Sequence, residues 1–123
     1  MALSLSGLAP ELRPYAQAAL DHARKQGVYP DLTSVLRSYE EQAALRRRYE
    51  NCVGRGLYPW ASGCHYPANR PGDSAHQYGL AWDSWVPDRL MPWWVAVRRA
   101  LGWTVPDNDP VHAEYPNWRS LFQ

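Results

Sequence analysis

The sequence predicts a small α+β domain in which helices pack on a short, mainly antiparallel sheet. Two observations predict this class: segments with the apolar spacing of amphipathic helices, and short runs rich in β-branched and aromatic residues between them. The chain has 123 residues, of which 46% are hydrophobic. This is enough for one hydrophobic core but not for two. We therefore expect a single domain over residues 1–123.

The first helix is predicted from about residue 10 to residue 26. Pro10 and Pro14 crowd its start, so the regular turns begin near Leu12. Gly27 is a typical residue at a helix end. The apolar residues recur at spacings of three and one and form one stripe, made of Leu12, Tyr15, Ala16, Ala19, Leu20 and Ala23.

A short strand at residues 32–36 and a second helix are predicted next. Ser38 and Glu41 have the S-x-x-E spacing of a capping box, which pairs two backbone amides at a helix start. We expect this helix to continue to about Glu50. Gln42 lies one turn inside it, on a face that could point back toward Arg37.

Residues 51–73 have no regular pattern and contain several glycines and prolines. A loop of this length in a compact domain is uncommon unless it is functional. We expect it to form one wall of a cleft, with Tyr58, Trp60 and Tyr66 as candidate substrate contacts. Packing of these aromatic rings onto the body of the domain is an equally weighted alternative.

The C-terminal part predicts a strand at residues 80–86, with Asp83 and Trp82 facing opposite ways. A helix follows at residues 92–101 and ends before Gly102. Two short strands are predicted at residues 103–105 and 111–115, antiparallel to the first. A short closing segment covers residues 116–122.

Three side chains in this part have the donor types of an open zinc site: His76, Asp83 and His112. Three protein ligands leave the fourth position of a tetrahedral ion to water. A spacing of seven residues between His76 and Asp83 excludes a helical H-E-x-x-H site and requires a turn, which Gly79 supplies. Asp109 lies three residues before His112 and is the candidate general base. Two unrelated histidines and a buried carboxylate are the alternative.

The motif S-x-H-x-x-G-x-A-x-D at residues 74–83, followed by acid-x-x-H at 109–112, resembles the zinc peptidases that cut bacterial cell-wall peptides. Residues 33–38, Thr-Ser-Val-Leu-Arg-Ser, with Gln42 after them, are similar to a third motif of that family. This family includes D-alanyl-D-alanine carboxypeptidases, dipeptidases and phage L-alanyl-D-glutamate endopeptidases. The resemblance implies one Zn²⁺ per chain.

The resemblance also implies roles for individual residues. Asp109 would transfer the proton of the attacking water, and Arg37 would stabilise the oxyanion or hold the substrate carbonyl. A salt bridge from Arg37 to Glu41 or Asp73 is the alternative. Ser74 and Gln42 are the candidate substrate-binding residues; Ser74 could equally cap a turn, and Gln42 could orient Arg37.

The chain departs from the family pattern at two places. The acid before His112 is an aspartate, where many members have glutamate. The resemblance associates this aspartate with the endopeptidase branch. Glu114, two residues after His112, is a competing base. Val35 and Leu36 replace the usual glycine–aromatic pair, which bears on substrate fit rather than on the metal.

Charge and hydrophobicity exclude several other classes. The net charge of +1 argues against a nucleic-acid-binding protein. No run approaches the ~20 apolar residues that span a bilayer, so no membrane insertion is expected. The residues after Met1 do not resemble a signal peptide. We expect synthesis in the cytoplasm, action on the cell wall, and a monomer. The arginines at 46–48 are interpreted as a solvated helix face, although an anionic wall polymer could use them.

Cys52 and Cys64 flank part of the loop. A disulfide or free thiols are both possible, depending on the compartment. A second metal site with His65 is conceivable but lacks a fourth ligand.

The sequence thus predicts a zinc-dependent hydrolase of peptidoglycan stem peptides, with no separate wall-binding domain and with L-alanyl-D-glutamate endopeptidase as the preferred activity. The alternative enzyme is a D-alanyl-D-alanine carboxypeptidase, for which Arg55 or Arg70 could bind the terminal carboxylate of the substrate. An alternative of another class is a non-catalytic wall-binding or virion structural module.

Overall fold

The computed structural model describes residues 4–61, 63–64 and 67–122. Within these ranges three α-helices pack around one antiparallel sheet of three strands, so the predicted α+β class is confirmed. No described helix combines the length and hydrophobicity needed to cross a bilayer. The elements, in chain order, are α1 (Arg13–Lys25), β1 (Asp31–Ser34), α2 (Tyr39–Gly54), β2 (Ala81–Trp85), α3 (Met91–Ala100) and β3 (His112–Glu114).

Strand β2 is the centre of the sheet, with β1 on one side and β3 on the other. Asp83, in the middle of β2, pairs with Ser34 of β1 and with His112 of β3. The register between β1 and β2 is irregular between Leu32 and Ser34. The central strand therefore presents Asp83 between its two neighbouring strands, beside the place where the register with β1 is irregular.

The predicted strand at residues 103–105 is wrong. Only Thr104 pairs there, through two backbone hydrogen bonds of 2.9 and 3.0 Å with Glu114. Pro106 has no N–H group to continue the ladder, and Gly102 (φ 98°) turns the chain immediately before it. A single bridge forms instead of a fourth strand.

The main core lies between the sheet and helices α1 and α3. The stripe of α1 buries Ala16, Ala19, Leu20 and Ala23 as predicted, whereas Tyr15 is 59% exposed. The ring of Trp82, from β2, contacts the rings of Trp94 and Trp103 edge to face at centroid distances of 6.1 and 5.6 Å. Trp82 and Trp94 are completely buried. The tryptophans thus join β2 to α3 and to the chain that follows it.

Helix α2 begins as predicted and ends later. The Ser38 hydroxyl accepts a hydrogen bond from the Glu41 amide (3.0 Å), and the Ser38 amide donates to the Glu41 carboxylate (3.1 Å). The helix continues to Gly54 rather than ending at Glu50. Residues 51–54 are poor helix formers, but Cys52 is buried in this last turn and joined to Cys64. The tertiary attachment outweighs the local propensity.

The two cysteines form a disulfide between the last turn of α2 and the loop after it. Of the two alternatives that the sequence left open, the structure therefore has the disulfide and not the free thiols. A second metal site is not formed by these cysteines, because a bonded sulfur has no thiolate to offer. His65, the third member of that hypothetical site, lies outside the described residues.

Candidate metal centre and cleft

Three donor atoms from three different elements converge at one end of the sheet. Nε2 of His76 lies 3.0 Å from Oδ1 of Asp83, and Nδ1 of His112 lies 3.0 Å from the same oxygen. The two ring nitrogens are 3.2 Å apart. His76 belongs to a short 3₁₀ helix (Ala75–Tyr78), Asp83 to β2 and His112 to β3. The three predicted zinc ligands, His76, Asp83 and His112, therefore lie together and could hold a metal ion.

Gly79 makes the turn that places His76 over β2. It ends the 3₁₀ helix with φ +70°, a conformation that side chains other than glycine rarely adopt. A Cβ atom there would also lie 3.0 Å from the carbonyl oxygen of Gly7. The Gly79 carbonyl accepts a hydrogen bond from the Ala9 amide (2.8 Å). The turn is thus held against the N-terminal segment.

The backbone of Val35 orients the ring of His76. Nδ1 of His76 lies 2.8 Å from the Val35 carbonyl oxygen, so Nδ1 donates a hydrogen bond to it and Nε2 faces Asp83. The Arg37 amide donates to the His76 carbonyl at 3.1 Å. Because this contact is made by the backbone carbonyl of Val35, it does not depend on the side chain at residue 35.

Glu114 orients the ring of His112 in the same way. Nε2 of His112 lies 2.7 Å from Oε1 of Glu114, which leaves Nδ1 to face Asp83. Burial alone would lower the pKa of His112, but hydrogen bonds to Asp83 and Glu114 outweigh it and raise that pKa to about 9. The sequence analysis considered Glu114 as a competing base. In the structure its carboxylate instead contacts His112 and orients that ring.

The donor set fits a zinc ion. A carboxylate oxygen and two imidazole nitrogens are ligands that zinc accepts, and the second nitrogen of each ring is held by an oxygen acceptor, as in known zinc sites. Tetrahedral ligation at about 2.1 Å separates donor atoms by about 3.4 Å, close to the 3.0–3.2 Å found. Without a cation or a proton, the two facing lone pairs and the carboxylate oxygen would repel one another.

Arg37 lies on the other side of Asp83. Its guanidinium donates to Oε1 of Gln42 (2.7 Å), Oγ of Ser34 (3.0 Å) and Oδ2 of Asp83 (3.4 Å). An arginine has five N–H donors, and three of them make these contacts, while the residue also lines the cleft. Burial lowers the pKa of Arg37, against the opposing effect of Asp83. The alternative salt bridges to Glu41 or Asp73 are not formed.

Asp83 itself remains ionised. Burial acts to raise its pKa, but the hydrogen bonds from His112 and His76 hold it far below the usual range of an aspartate. A carboxylate in this state is ready to bind a cation.

Gln42 is completely buried and both ends of its amide are engaged. Oε1 accepts from Arg37, and Nε2 donates to the Asn69 carbonyl oxygen at 2.7 Å. The face of α2 points toward Arg37 as predicted. The sequence analysis predicted Gln42 as a substrate-binding residue. In the structure its amide instead contacts Arg37 and the loop at Asn69.

Asp109 lies at the rim of the same cleft, in the turn before β3. Its backbone carbonyl accepts a hydrogen bond from the His112 amide at 3.0 Å. Among the described residues its carboxylate has no hydrogen-bond or ion-pair partner. Burial, followed by repulsion from Asp83, raises the pKa of Asp109 to about 6. A partly buried carboxylate with this pKa suits a general base near neutral pH.

Ser74 is buried and lines the cleft next to His76. It precedes the 3₁₀ helix but makes no side-chain capping bond to it. The capping role is therefore not formed, and the substrate-binding role of Ser74 stays a prediction.

The cleft has a volume of about 600 Å³. One wall comes from the long loop, as predicted, and includes Gly63, Pro67 and Asn69. Arg46 holds this wall by donating to the Ala68 carbonyl oxygen at 2.9 Å. Of the nominated aromatic residues, Tyr58 packs edge to face on Tyr49 at 5.1 Å, Trp60 is 84% exposed, and Tyr66 lies outside the described residues.

Sequence reasoning missed part of the opposite wall. Leu45, Arg48 and Tyr49 line the cleft together with Gln42. Their spacing from Gln42 (three, six and seven residues) places them on one face of α2, a signal that the sequence did contain. Arg55 and Arg70, nominated for a substrate carboxylate, are not among the lining residues. The arginine triplet was interpreted as solvated, but one of its members faces the cleft.

Comparison with known proteins places this fold among solved structures. No protein-family model and no curated protein sequence matches the chain. A variant of the VanY D,D-pentapeptidase from a VanB-type resistance cassette, in complex with Zn(II), is 24% identical, with a TM-score of 0.71 over 99% of this chain and 80% of that one. VanYB in complex with D-alanine-D-alanine is 24% identical, with a TM-score of 0.72 over 99% and 79%.

A third structure, the LD-carboxypeptidase LdcB, is 25% identical, with a TM-score of 0.62 over 94% of this chain and 70% of that one. The chain therefore has the fold of these peptidases. The phage endopeptidases that the sequence resemblance included are not among these three.

Proposed function

We propose that the protein is a zinc-dependent peptidase that cleaves the stem peptides of peptidoglycan. The observation that carries this proposal is the convergence of His76, Asp83 and His112 in a cleft that Asp109 and Arg37 also line. The solved VanY structures, one with Zn(II) and one with D-alanine-D-alanine, share the fold and support both the metal and the substrate class.

Each catalytic residue has a distinct task in this proposal. Zinc, held by the His76, Asp83 and His112 donors, would polarise the scissile carbonyl and lower the pKa of a water molecule. The Asp109 carboxylate accepts a proton from the attacking water as the new C–O bond forms, and donates it to the leaving nitrogen as the C–N bond breaks. The guanidinium of Arg37, which lines the cleft, stabilises the negative charge on the carbonyl oxygen.

The preferred scissile bond is L-alanyl-D-glutamate, within the stem peptide. One observation supports an endopeptidase: the acid three residues before His112 is an aspartate, which the resemblance associates with that branch. Arg55 and Arg70, the candidates for a terminal carboxylate, do not line the cleft, whereas Arg48 does. The second candidate is a carboxypeptidase that removes terminal D-alanine. The similar structures favour it, because one is VanYB in complex with D-alanine-D-alanine and another is an LD-carboxypeptidase.

Digestion of purified peptidoglycan tests these alternatives. The protein is incubated with walls of several chemotypes, with and without a chelator, and the fragments are identified by mass spectrometry. Chelator-sensitive cleavage between L-alanine and D-glutamate is the expected result. Loss of terminal D-alanine alone would establish the carboxypeptidase. Zinc binding without cleavage of any wall would contradict the enzymatic proposal and favour the non-catalytic wall-binding module.

A further inference from the structure

Arg98 is a completely buried cation that the proposed chemistry does not use. It lies near the end of α3 with an exposed fraction of 0%, and no described carboxylate lies within ion-pair distance of it. Burial lowers its pKa to about 10, so it stays protonated at neutral pH. A buried charge is costly unless its donors are satisfied. Its contacts should therefore explain why an arginine is at this position.

The guanidinium of Arg98 binds the backbone of the turn between Asp109 and His112. Nη1 donates to the Val111 carbonyl oxygen at 3.1 Å, and Nη2 donates to the carbonyl oxygen of Pro110. Nε donates to the Trp94 carbonyl oxygen at 3.2 Å within its own helix. The planar fork thus spans two consecutive carbonyl groups with a fixed geometry that the flexible ammonium of a lysine does not provide.

Trp94, which packs on the Arg98 guanidinium, connects this contact to the central strand β2. The guanidinium carbon of Arg98 lies 5.0 Å from the centre of the Trp94 ring, and the indole N–H of Trp94 donates to the Ser84 hydroxyl at 2.8 Å. The Ser84 amide also donates to the Val111 carbonyl oxygen at 3.0 Å. Ser84 follows Asp83 directly, so one connected network joins β2 to the turn.

We propose that Arg98 is a positioning residue, which holds the carbonyl groups of Pro110 and Val111 and thereby sets where Asp109 and His112 lie relative to Asp83. Residues 110 and 111 stand between the proposed base and the proposed ligand and lie outside any described strand. A shift of this turn would displace both side chains at once. This inference rests on the proposed function for its catalytic part, whereas its effect on metal binding stands apart from it.

Two variants and one control test the proposal. Arg98→Met removes the cation and the fork at similar volume, and Arg98→Lys keeps the charge but not the fork. Leu20→Ala is the control, because Leu20 is buried in the same core and is distant in sequence from the turn. All three are compared with the unmodified protein at a temperature where circular dichroism shows each to be folded.

Zinc affinity, measured by competition with a chelator, is the readout that needs no substrate. We expect Arg98→Met to weaken zinc binding about tenfold or more, in the range found for groups that orient metal ligands, with Arg98→Lys in between and Leu20→Ala unchanged. In peptidoglycan digestion with saturating zinc, we expect kcat to fall about a hundredfold in Arg98→Met at little change in KM.

Unchanged zinc affinity and unchanged kcat in folded Arg98→Met would overturn the proposal, as would an equal loss in Leu20→Ala. If neither Arg98 variant folds, Arg98 serves the fold as a whole and the proposal is also overturned. If the unmodified protein cleaves no wall, the proposed function fails, while the zinc comparison still decides the role of Arg98.

Discussion

The Nε2 atom of His112 lies 2.7 Å from Oε1 of Glu114, two residues along the same short strand. Alternate residues of a strand share a face, so the carboxylate is held beside the ring by β3 itself. An ionised carboxylate only accepts hydrogen bonds, and the proton of His112 therefore resides on Nε2. Nδ1 faces Asp83: it donates to that carboxylate while the ring is protonated, and offers its lone pair to a metal ion once that proton is lost.

Removing Glu114 should weaken metal binding without removing a ligand. We expect Glu114→Ala to lower zinc affinity about 10- to 100-fold, because His112 loses the acceptor that fixes its tautomer and ring orientation. Chelator competition measures the change. Glu40→Ala, which removes an exposed carboxylate of α2, is the control and should leave the affinity unchanged.

Removing Asp109 should stop hydrolysis while zinc stays bound. Asp109→Ala lacks the general base, and we expect a loss of about 10²- to 10⁴-fold in kcat with one zinc per chain retained. Rates are measured on stem peptides with saturating zinc, and bound metal by atomic absorption. Full activity in Asp109→Ala, together with lost activity in Glu114→Ala under the same conditions, would transfer the role of base to Glu114.

Removing either histidine ligand should abolish metal binding and, with it, the stabilisation that bound zinc provides. A ligand that binds the native state stabilises it by about 2.7 kcal/mol at a hundred times its dissociation constant. We expect zinc to raise the Tm of the unmodified protein and to have little effect on His76→Ala or His112→Ala. One tightly bound zinc per chain in either variant would contradict the ligand set.

Breaking the disulfide should cost stability and loosen the loop wall. Cys52→Ser opens a closed loop with a sequence separation of 12, and loop entropy predicts a loss of about 3 kcal/mol in the free energy of unfolding. Urea denaturation of Cys52→Ser, Cys64→Ser and the double variant measures the loss, which should be equal in all three. Zinc affinity should not change, because the donors lie on other elements. A weakened affinity would show that the loop supports the metal group.

Arg48 should contribute to the binding of acidic stem peptides. It faces the cleft from α2, and an exposed charge pair is worth up to about 1 kcal/mol. We therefore expect Arg48→Ala to raise KM about two- to fivefold for peptides with free carboxylates, and to leave amidated peptides unaffected. Its neighbour Arg47 is exposed and does not line the cleft, so Arg47→Ala is the matched control. Equal effects on both peptides would exclude a charge contact.

Two members of the metal group, His76 and Asp83, belong to a local pattern, whereas His112 was predictable only because its acid-x-x-H motif follows that pattern in the order seen in the family it resembles. His76, Gly79 and Asp83 lie within eight residues, and the turn that joins them needs only a glycine that can adopt a positive φ. The capping box at Ser38 and the apolar stripe of α1 were predictable for the same reason. Their causes are contacts between residues close in sequence, which spacing alone reveals.

The surroundings of the metal group were decided by contacts between distant segments. The Val35 carbonyl reaches His76 across 41 positions, and Arg37 reaches Asp83 across 46. Packing against Cys64 extends α2 beyond its own propensity, and Pro106 limits the expected fourth strand to one bridge. Sequence motifs thus predicted which residues carry the chemistry. Only tertiary packing decided which neighbour holds each of them in place, because hydrogen bonds to backbone carbonyl groups leave no mark on residue type.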